Sequence, residues 1–458
     1  MIDLRPLKPQ LKNKPIAIVG LGKSGIYAHE ACKAAGIETV LWDDNAAGRK
    51  DLPTEDLTQA DFSRFALLCL APGIPLTHPK PHPAVVQAQK AGCPIVCDIE
   101  LFHRAHPKMK TIGITGTNGK STTTALIGHI LKSAGVESAV GGNIGEASLS
   151  LPQLSEKAIY VLELSSYQLD LCPTFAPDIS MLINLSPDHL DRHGDMAGYI
   201  AAKKNIFRGP GIAIVGIDDD WSQQVYKDLA KSERKNIPVS CLTSPAEGIY
   251  VTADGLLKDK GRDIFDLKGC RTLQGQHNWQ NAAMAYAACT AAGVEVSAII
   301  AGLKSFPGLI HRQNIVCVYN GVTYINDSKA TNDQAAAMAL RTYNPIYWIA
   351  GGKAKDGGYS DCEKHLTHVR HAFLIGDAQD KMAAWLEKQK TPFTRSGTLD
   401  QALTAAHNMA QQEKLKNAVV LLSPACASFD QFKSFEQRGE VFVDLVKKLA
   451  PCTKGACA

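Results

Sequence analysis

No stretch of this chain comes near the roughly 18 consecutive apolar residues that a helix needs to cross a bilayer. Residues 1–15 are basic but lack the apolar core of an export signal, so a soluble protein of the cytoplasm is expected. The thirteen cysteines are scattered, with no C-x-x-C pair and no metal-finger spacing, which argues against a disulfide framework and for a reducing compartment. Net charge is only +4 at pH 7, and the basic residues form no stripe interleaved with aromatics. Nucleic acid and membrane surfaces are therefore not expected partners, whereas small anionic ligands stay open. What is present is ordinary globular composition, 45% hydrophobic and 21% charged over 458 residues, enough for about two to four domains.

The organising stretch is an apolar run at 111–115, then Gly116-Thr117-Asn118-Gly119-Lys120-Ser121-Thr122, then a helical pattern at 121–133 with Leu126, Ile127, Ile130 and Leu131 on one face. Strand, glycine-rich loop and helix in that order make a phosphate cradle. Backbone N–H groups and the positive end of the helix converge on an anion, Lys120 serves the outer phosphates, and Ser121 offers a hydroxyl to Mg²⁺. Ile114 stands where the longer form of the motif has its first glycine, so the match is to the shorter G-x-x-G-K-S form.

Ahead of it, residues 15–19 read as a buried strand running into Gly20-Leu21-Gly22-Lys23-Ser24-Gly25, a complete G-x-G-x-x-G, with a helix at 26–35. The next strand, at 38–42, ends on Asp43 and Asp44, about twenty residues on, where a dinucleotide fold keeps its ribose-binding acid. By spacing alone NAD and other diphosphates fit alike. A turn at 71–75 brings the backbone of Gly73 to the same edge, and residues 105–110 read as a linker.

Beyond the phosphate loop, a strand at 158–162 ends on Glu163, and another at 178–185 ends near Asp188 and His189. Parallel sheets bind ligands past the carboxyl ends of their strands, which sets this carboxylate and imidazole beside the loop, suited to a Mg²⁺ shell. Taken singly, each also reads as a helix cap or a loop residue. Asn143 sits in the turn Gly141-Gly-Asn-Ile-Gly145, and Asn278 and Asn281 lie one helical turn apart. Such amides suit a purine edge or a phosphate, or simply cap a first turn.

Past a hinge at Pro307-Gly308, Asn320-Gly321 signals a hairpin, and apolar strands at 346–350, 372–375 and 419–422 alternate with helical patterns. This is a second doubly wound unit. Its strand ends carry Lys329, Lys355 and Ser428, a set suited to a dicarboxylate or a phosphate, although lysines at a surface are commonly just solvated.

Together these motifs resemble the Mur ligases, the ATP-dependent amino-acid-adding enzymes of bacterial peptidoglycan synthesis, over essentially the whole chain. The resemblance rests on Gly116-Thr-Asn-Gly-Lys-Ser-Thr122, Glu163-Leu-Ser165-Ser166, Asp188-His189, His277-Asn-x-x-Asn281 and Arg312. The D-glutamate-adding branch is indicated by Gly20-Leu-Gly-Lys-Ser-Gly25, Asp188-His-Leu-Asp-Arg192, Asn326-Asp-Ser-Lys-Ala-Thr-Asn332 and the long stretch from Leu422 to Gly439. It implies an α/β fold of three domains: N-terminal Rossmann-like at 1–107, a central P-loop mononucleotide-binding parallel sheet at 108–308, and C-terminal Rossmann-like at 309–458.

The resemblance further implies a cytoplasmic monomer that binds ATP and Mg²⁺, with two metal sites, and joins UDP-MurNAc-L-Ala to D-glutamate through an acyl phosphate. The first domain's glycine loop then takes UDP rather than NAD, with Leu21, Ser24, Asp44, Gly73, Asn143, Ser165 and His189 as contacts of that substrate. Asn45 stands where the family has an arginine. ATP falls to the phosphate loop, Gly116 to Thr122, and to Asn278, Asn281, Arg312 and Asp327. Thr331, Lys355, Ser428, Phe429 and Phe435 are implied for D-glutamate, with Lys329 close to both and counted with Lys120, His189 and Lys203 as catalytic. Metals fall to Ser121, Glu163, His189 and a lysine carbamylated by CO₂. Register with Tyr199 assigns that lysine to Lys203, with Lys204 as its neighbour.

Overall fold

A computed structural model describes residues 1–49, 52–354 and 358–450 of the chain. It divides into two compact units, Met1–Phe306 and the chain from Pro307 onward.

The first unit holds two sheets. The smaller is fully parallel, in the order Thr39–Trp42, Ile16–Val19, Leu67–Leu70, Ile95–Val96. Ile16–Val19 is buried at every residue, as a strand covered on both faces must be. It leads into the glycine loop, and the helix begins at once, as Lys23–Ala34, rather than at 26. Gly20 has φ +91°, and a side chain there would stand 2.5 Å from the Cβ of Ala71. Only glycine lets this loop lie against the turn after Leu67–Leu70.

The larger sheet has nine strands. Lys110–Thr115 runs parallel between Ile159–Glu163 and Ile179–Leu182. Ser138–Gly142 lies outside Ile159–Glu163. On the other side come Ile212–Gly216 and Asn236–Ser240, and then a meander, Ile249–Val251, Leu256–Asp259 and Arg262–Asp266. Lys120–Ser133 and the alanine-rich Gln276–Ala291 cover one face; the small side chains of the latter, buried from Gln280 to Cys289, allow close approach. The last strand before the candidate histidine is shorter than expected, because the chain leaves the sheet after Leu182 to reach the phosphate loop.

One hydrophobic cluster runs through both sheets: Ile18 and Leu68 from the first, Tyr160, Leu162 and Val215 from the second, with Phe102 and Phe175 at the join. The two sheets of the first unit thus share this cluster.

The second unit is a six-stranded sheet in the order Asn314–Tyr319, Val322–Asn326, Val419–Leu422, Ile346–Gly351, Val369–Ile375, Phe393–Gly397, antiparallel only at the first pair. That pair is the hairpin expected at Asn320-Gly321, where φ is positive at both residues, 49° and 80°. Among the described residues no helix is long and apolar enough to cross a membrane.

Candidate active site

The phosphate loop leaves the central strand between two neighbours whose own ends hold it. Asn184, just past Ile179–Leu182, accepts the Thr117 N–H on its carbonyl (2.9 Å) and the Asn118 N–H on its side chain (2.8 Å). Gly119 has φ +85° at the start of Lys120–Ser133, and a side chain there would collide with Asn281. Asn281 in turn accepts from the Thr123 hydroxyl (3.2 Å) and donates to Asn278 (3.2 Å). The expected pair of amides therefore packs on the loop, although the Asn278 amide donates to the carbonyl of Gln274 (3.0 Å). Lys120 folds back on the loop, donating to the carbonyls of Gly116 (3.0 Å) and Thr117 (2.8 Å). Ser121 and Thr122 are buried at the head of the helix.

Glu163 closes its strand at 1% exposure. One carboxylate oxygen accepts from the Asn143 amide (2.8 Å), and the other is buried without a partner. Lys203 is 2% exposed, lies 4.7 Å from the Tyr199 ring centre, and donates to the Gly116 carbonyl (2.7 Å) and to Thr115 (3.3 Å). Burial, and then the charge of Lys120, hold its amine well below the usual ammonium range, against Asp188 and Glu163. Lys204, by contrast, points to the surface and pairs with Asp228 at 3.6 Å. His189 has φ 54° and its Nε2 lies 3.4 Å from Asp188. Burial lowers its pKa, as do Lys120 and Lys203, against Asp188, which favours the neutral imidazole that binds metals.

A metal fits here on one observation, the unpartnered buried oxygen of Glu163; an uncompensated carboxylate in such a place is costly without a cation. Among the described residues no three His, Cys, Asp or Glu side chains converge as a ready-made metal cage.

At the first sheet, the Leu21 N–H donates to Asp43 (2.6 Å). Asp44, expected as a contact of the UDP-linked substrate, accepts from Trp42 (2.9 Å) and lies 2.9 Å from His82. Ser24 lies in the first turn of Lys23–Ala34, and Lys23 donates to the carbonyl of Gly145, linking the two glycine loops. Gly73 faces open space. Ser165 caps Ser166–Asp170 with a reciprocal bond to Gln168.

In the second unit, the strand ends assemble around a buried arginine. Arg438, 0% exposed, donates to the Ser328 hydroxyl (2.9 Å) and to the carbonyls of Ser328 (2.9 Å) and Cys426 (3.2 Å). Burial lowers its pKa to about 10. It ties the loop of Lys329 and Thr331 to that of Ser428. Lys329 lies 5.6 Å from the centre of the Phe435 ring, Ser428 is buried, and Phe429 is 69% exposed. Asp327 accepts from Ser423 (2.7 Å) and from the Gln313 N–H (3.1 Å); burial lifts its carboxyl to about 7 against these bonds and the charge of Arg312. Lys355 lies outside the described residues.

Residues 114–289 match the Mur ligase middle domain. The chain is 46% identical to the UDP-N-acetylmuramoylalanine–D-glutamate ligase of Paramagnetospirillum magneticum, over 96% of this chain and 97% of that one. It is 48% identical to the same enzyme of Rhizobium johnstonii, over 96% of both. The chain belongs to the UDP-N-acetylmuramoylalanine–D-glutamate ligases. Among solved structures, the UDP-N-acetylmuramate-alanine ligase of Thermotoga maritima aligns with a TM-score of 0.60 at 16% identity, over 95% of this chain and 99% of that one. The MurF ligase of Thermotoga maritima, in complex with ADP, aligns with a TM-score of 0.59 at 15% identity, over 98% and 100%. At that identity the likeness concerns the fold.

In the first unit the phosphate loop, Asn143, Glu163, Lys203 and Asn281 come together, and three residues that the sequence reading did not single out as contacts, Lys23, Asp43 and Arg438, hold neighbouring loops in place. Of these three, Asp43 carries a sequence signal, since it shares the strand end with Asp44. Arg438 carried a weaker one, an arginine in the apolar-faced helix Phe435–Leu449.

Proposed function

We propose that the chain is an ATP-dependent ligase that adds D-glutamate to UDP-N-acetylmuramoyl-L-alanine through an acyl phosphate. The observation that carries the reading is identity of 45 to 48% with D-glutamate ligases over nearly the whole chain. A carboxylate reacts poorly with an amine because oxide would have to leave. Transfer of the ATP γ-phosphoryl group to the alanyl carboxylate supplies a better leaving group; the D-glutamate amine then attacks the acyl carbon and inorganic phosphate departs.

The loop 116–122 would cradle the ATP phosphates, with Lys120 turning from the loop carbonyls to the transferring group, where charge neutralisation is the main service a protein renders. Ser121, Glu163 and His189 would hold Mg²⁺, which when bound neutralises phosphate charge. Lys203 fits carbamylation. Its buried amine is held below the usual ammonium range, which favours the neutral form; in that form its lone pair would attack the carbon of CO₂, releasing a proton and leaving an anionic carboxylate as a further ligand. Leu21, Ser24, Asp44 and Gly73, joined now by Asp43, would hold the UDP-linked acid, with Asn143 and Ser165 nearer its alanyl end. Asn278, Asn281, Arg312 and Asp327 carry over as ATP contacts. Thr331, Lys355, Ser428, Phe429 and Phe435 carry over as contacts of D-glutamate. We further propose a monomer working in the cytoplasm, with three domains bounded near 107 and 308.

The test is phosphate release with ATP, Mg²⁺ and UDP-MurNAc-L-Ala, with D-glutamate present or omitted, and mass analysis of the product. Turnover that needs all three and yields a glutamyl conjugate supports the reading; phosphate release without conjugate overturns it.

A further inference from the structure

Arg192 follows His189 by three residues, in the short helix Leu190–His193, and nothing so far has given it work. Its guanidinium reaches across to the turn after Leu67–Leu70. Nη1 donates to the Gly73 carbonyl (2.9 Å), and Nη2 to those of Ile74 (3.1 Å) and Pro72 (3.5 Å). The face of the guanidinium lies 4.5 Å from the centre of the Tyr167 ring, and that ring packs against both His189 (5.0 Å) and His193 (5.4 Å). A planar five-donor fork suits this task as an ammonium would not, because it takes successive carbonyls and stacks at once.

Peptide geometry gives the contact a directional consequence. The peptide between Pro72 and Gly73 is trans, so its C=O and N–H point opposite ways. With the Pro72 carbonyl held toward Arg192, the Gly73 N–H points away from it. Among the described residues that N–H has no backbone partner, whereas the Ile74 N–H is closed onto the Ala71 carbonyl (2.9 Å). A side chain at Gly73 would meet nothing within 4 Å. One edge of the turn is thus all carbonyl and capped by a cation, and the peptide N–H of Gly73 lies on the other.

We propose that Arg192 is a positioning residue for the UDP-linked substrate. It fixes the turn 72–74 so that the Gly73 N–H is presented to an anionic oxygen of that substrate, and it does so from the same short stretch of chain that carries His189. The proposal rests on the ligase reading above and adds to it the group that organises one wall of the site.

Arg192→Ala and Arg192→Lys separate it from a merely structural role. In Arg192→Ala the KM for UDP-MurNAc-L-Ala rises by about 10- to 100-fold, the range expected when a binding group is misplaced by about an ångström, while the KM values for ATP and D-glutamate stay within about twofold. Arg192→Lys, which keeps the charge but not the fork, falls between. Calorimetric titration with UDP-MurNAc-L-Ala alone shows the same loss, without any dependence on turnover. An unchanged KM for the UDP-linked acid, or KM values for all three substrates rising together alongside a lower melting temperature, overturns the assignment. If Arg192→Ala does not fold, Arg192→Lys decides by the same split. A wild-type protein that forms no glutamyl conjugate would instead refute the ligase reading itself.

Discussion

Replacing Gly119 by Ala tests the packing of the phosphate loop on the helix Gln276–Ala291. The new Cβ would fall within the van der Waals shell of the Asn281 side-chain oxygen and 3.2 Å from its Cγ, at a φ of +85° that L-residues avoid. The left-handed conformation costs about 1–2 kcal/mol for alanine. Moving Asn281 aside breaks its bonds with Thr123 and Asn278, each worth about 1 kcal/mol net. The single change should therefore destabilise the first unit by roughly 3–4 kcal/mol. Asn281→Ala alone loses the two bonds and costs about 2 kcal/mol. In the double variant the collision is gone and the backbone and bond losses each count once, about 3–4 kcal/mol in all, so the two single costs should fall short of additive by about 2 kcal/mol. Urea unfolding of the four proteins gives the cycle. Additivity within about 0.5 kcal/mol, or wild-type stability in Gly119→Ala, would refute the reasoning.

Lys203→Ala should lose nearly all ligation and Lys204→Ala almost none; a short carboxylic acid added to the assay should restore part of the Lys203→Ala activity, and equal losses at both positions would sink the assignment. Asp327 holds its proton in the fold up to about pH 7, against 3.8 for an unperturbed carboxyl, so the folded state binds the extra proton between those values. Its contribution is complete below about pH 4 and is lost as pH rises toward 7, a change of about 4 kcal/mol. Melting curves from pH 4 to 8 should show that slope flattened in Asp327→Asn, and an unaltered slope counts against it. Arg438→Met should cost about 2–4 kcal/mol by leaving buried carbonyls without a donor, and should raise the KM for D-glutamate; a stable variant with normal KM would show the arginine to be idle.

Much of the fold was legible because local chemistry and tertiary role agree. Gly116 to Ser121, the strand ending on Glu163 and the Asn320-Gly321 hairpin each carry a backbone demand that few residue types satisfy. The short strands were harder. Asn236–Ser240 contains Pro238, Ser138–Gly142 ends on two glycines, and both are strands because neighbours far along the chain hold them. Spacing does not tell Asp43 and Asp44 apart; their partners do, His82, 38 residues along the chain, for Asp44 and the Leu21 N–H for Asp43. Asn143 was read as a ligand contact, and its amide is at present engaged by Glu163, a partner no local pattern reveals. For Lys203 and Lys204 the arbiter was depth, which a nine-residue helix with a weak apolar face does not declare.

The cluster that threads both sheets of the first unit bears on how the gene can be cut. A fragment ending at 107 would bare Phe102 where it now packs on Tyr160, along with its other apolar residues of the shared cluster, and should precipitate or remain molten when expressed by itself. A fragment opening at Pro307 takes its own apolar interior with it and should give a dispersed amide NMR spectrum. Were the shorter front piece to behave equally well, its walls would have to be self-sufficient after all.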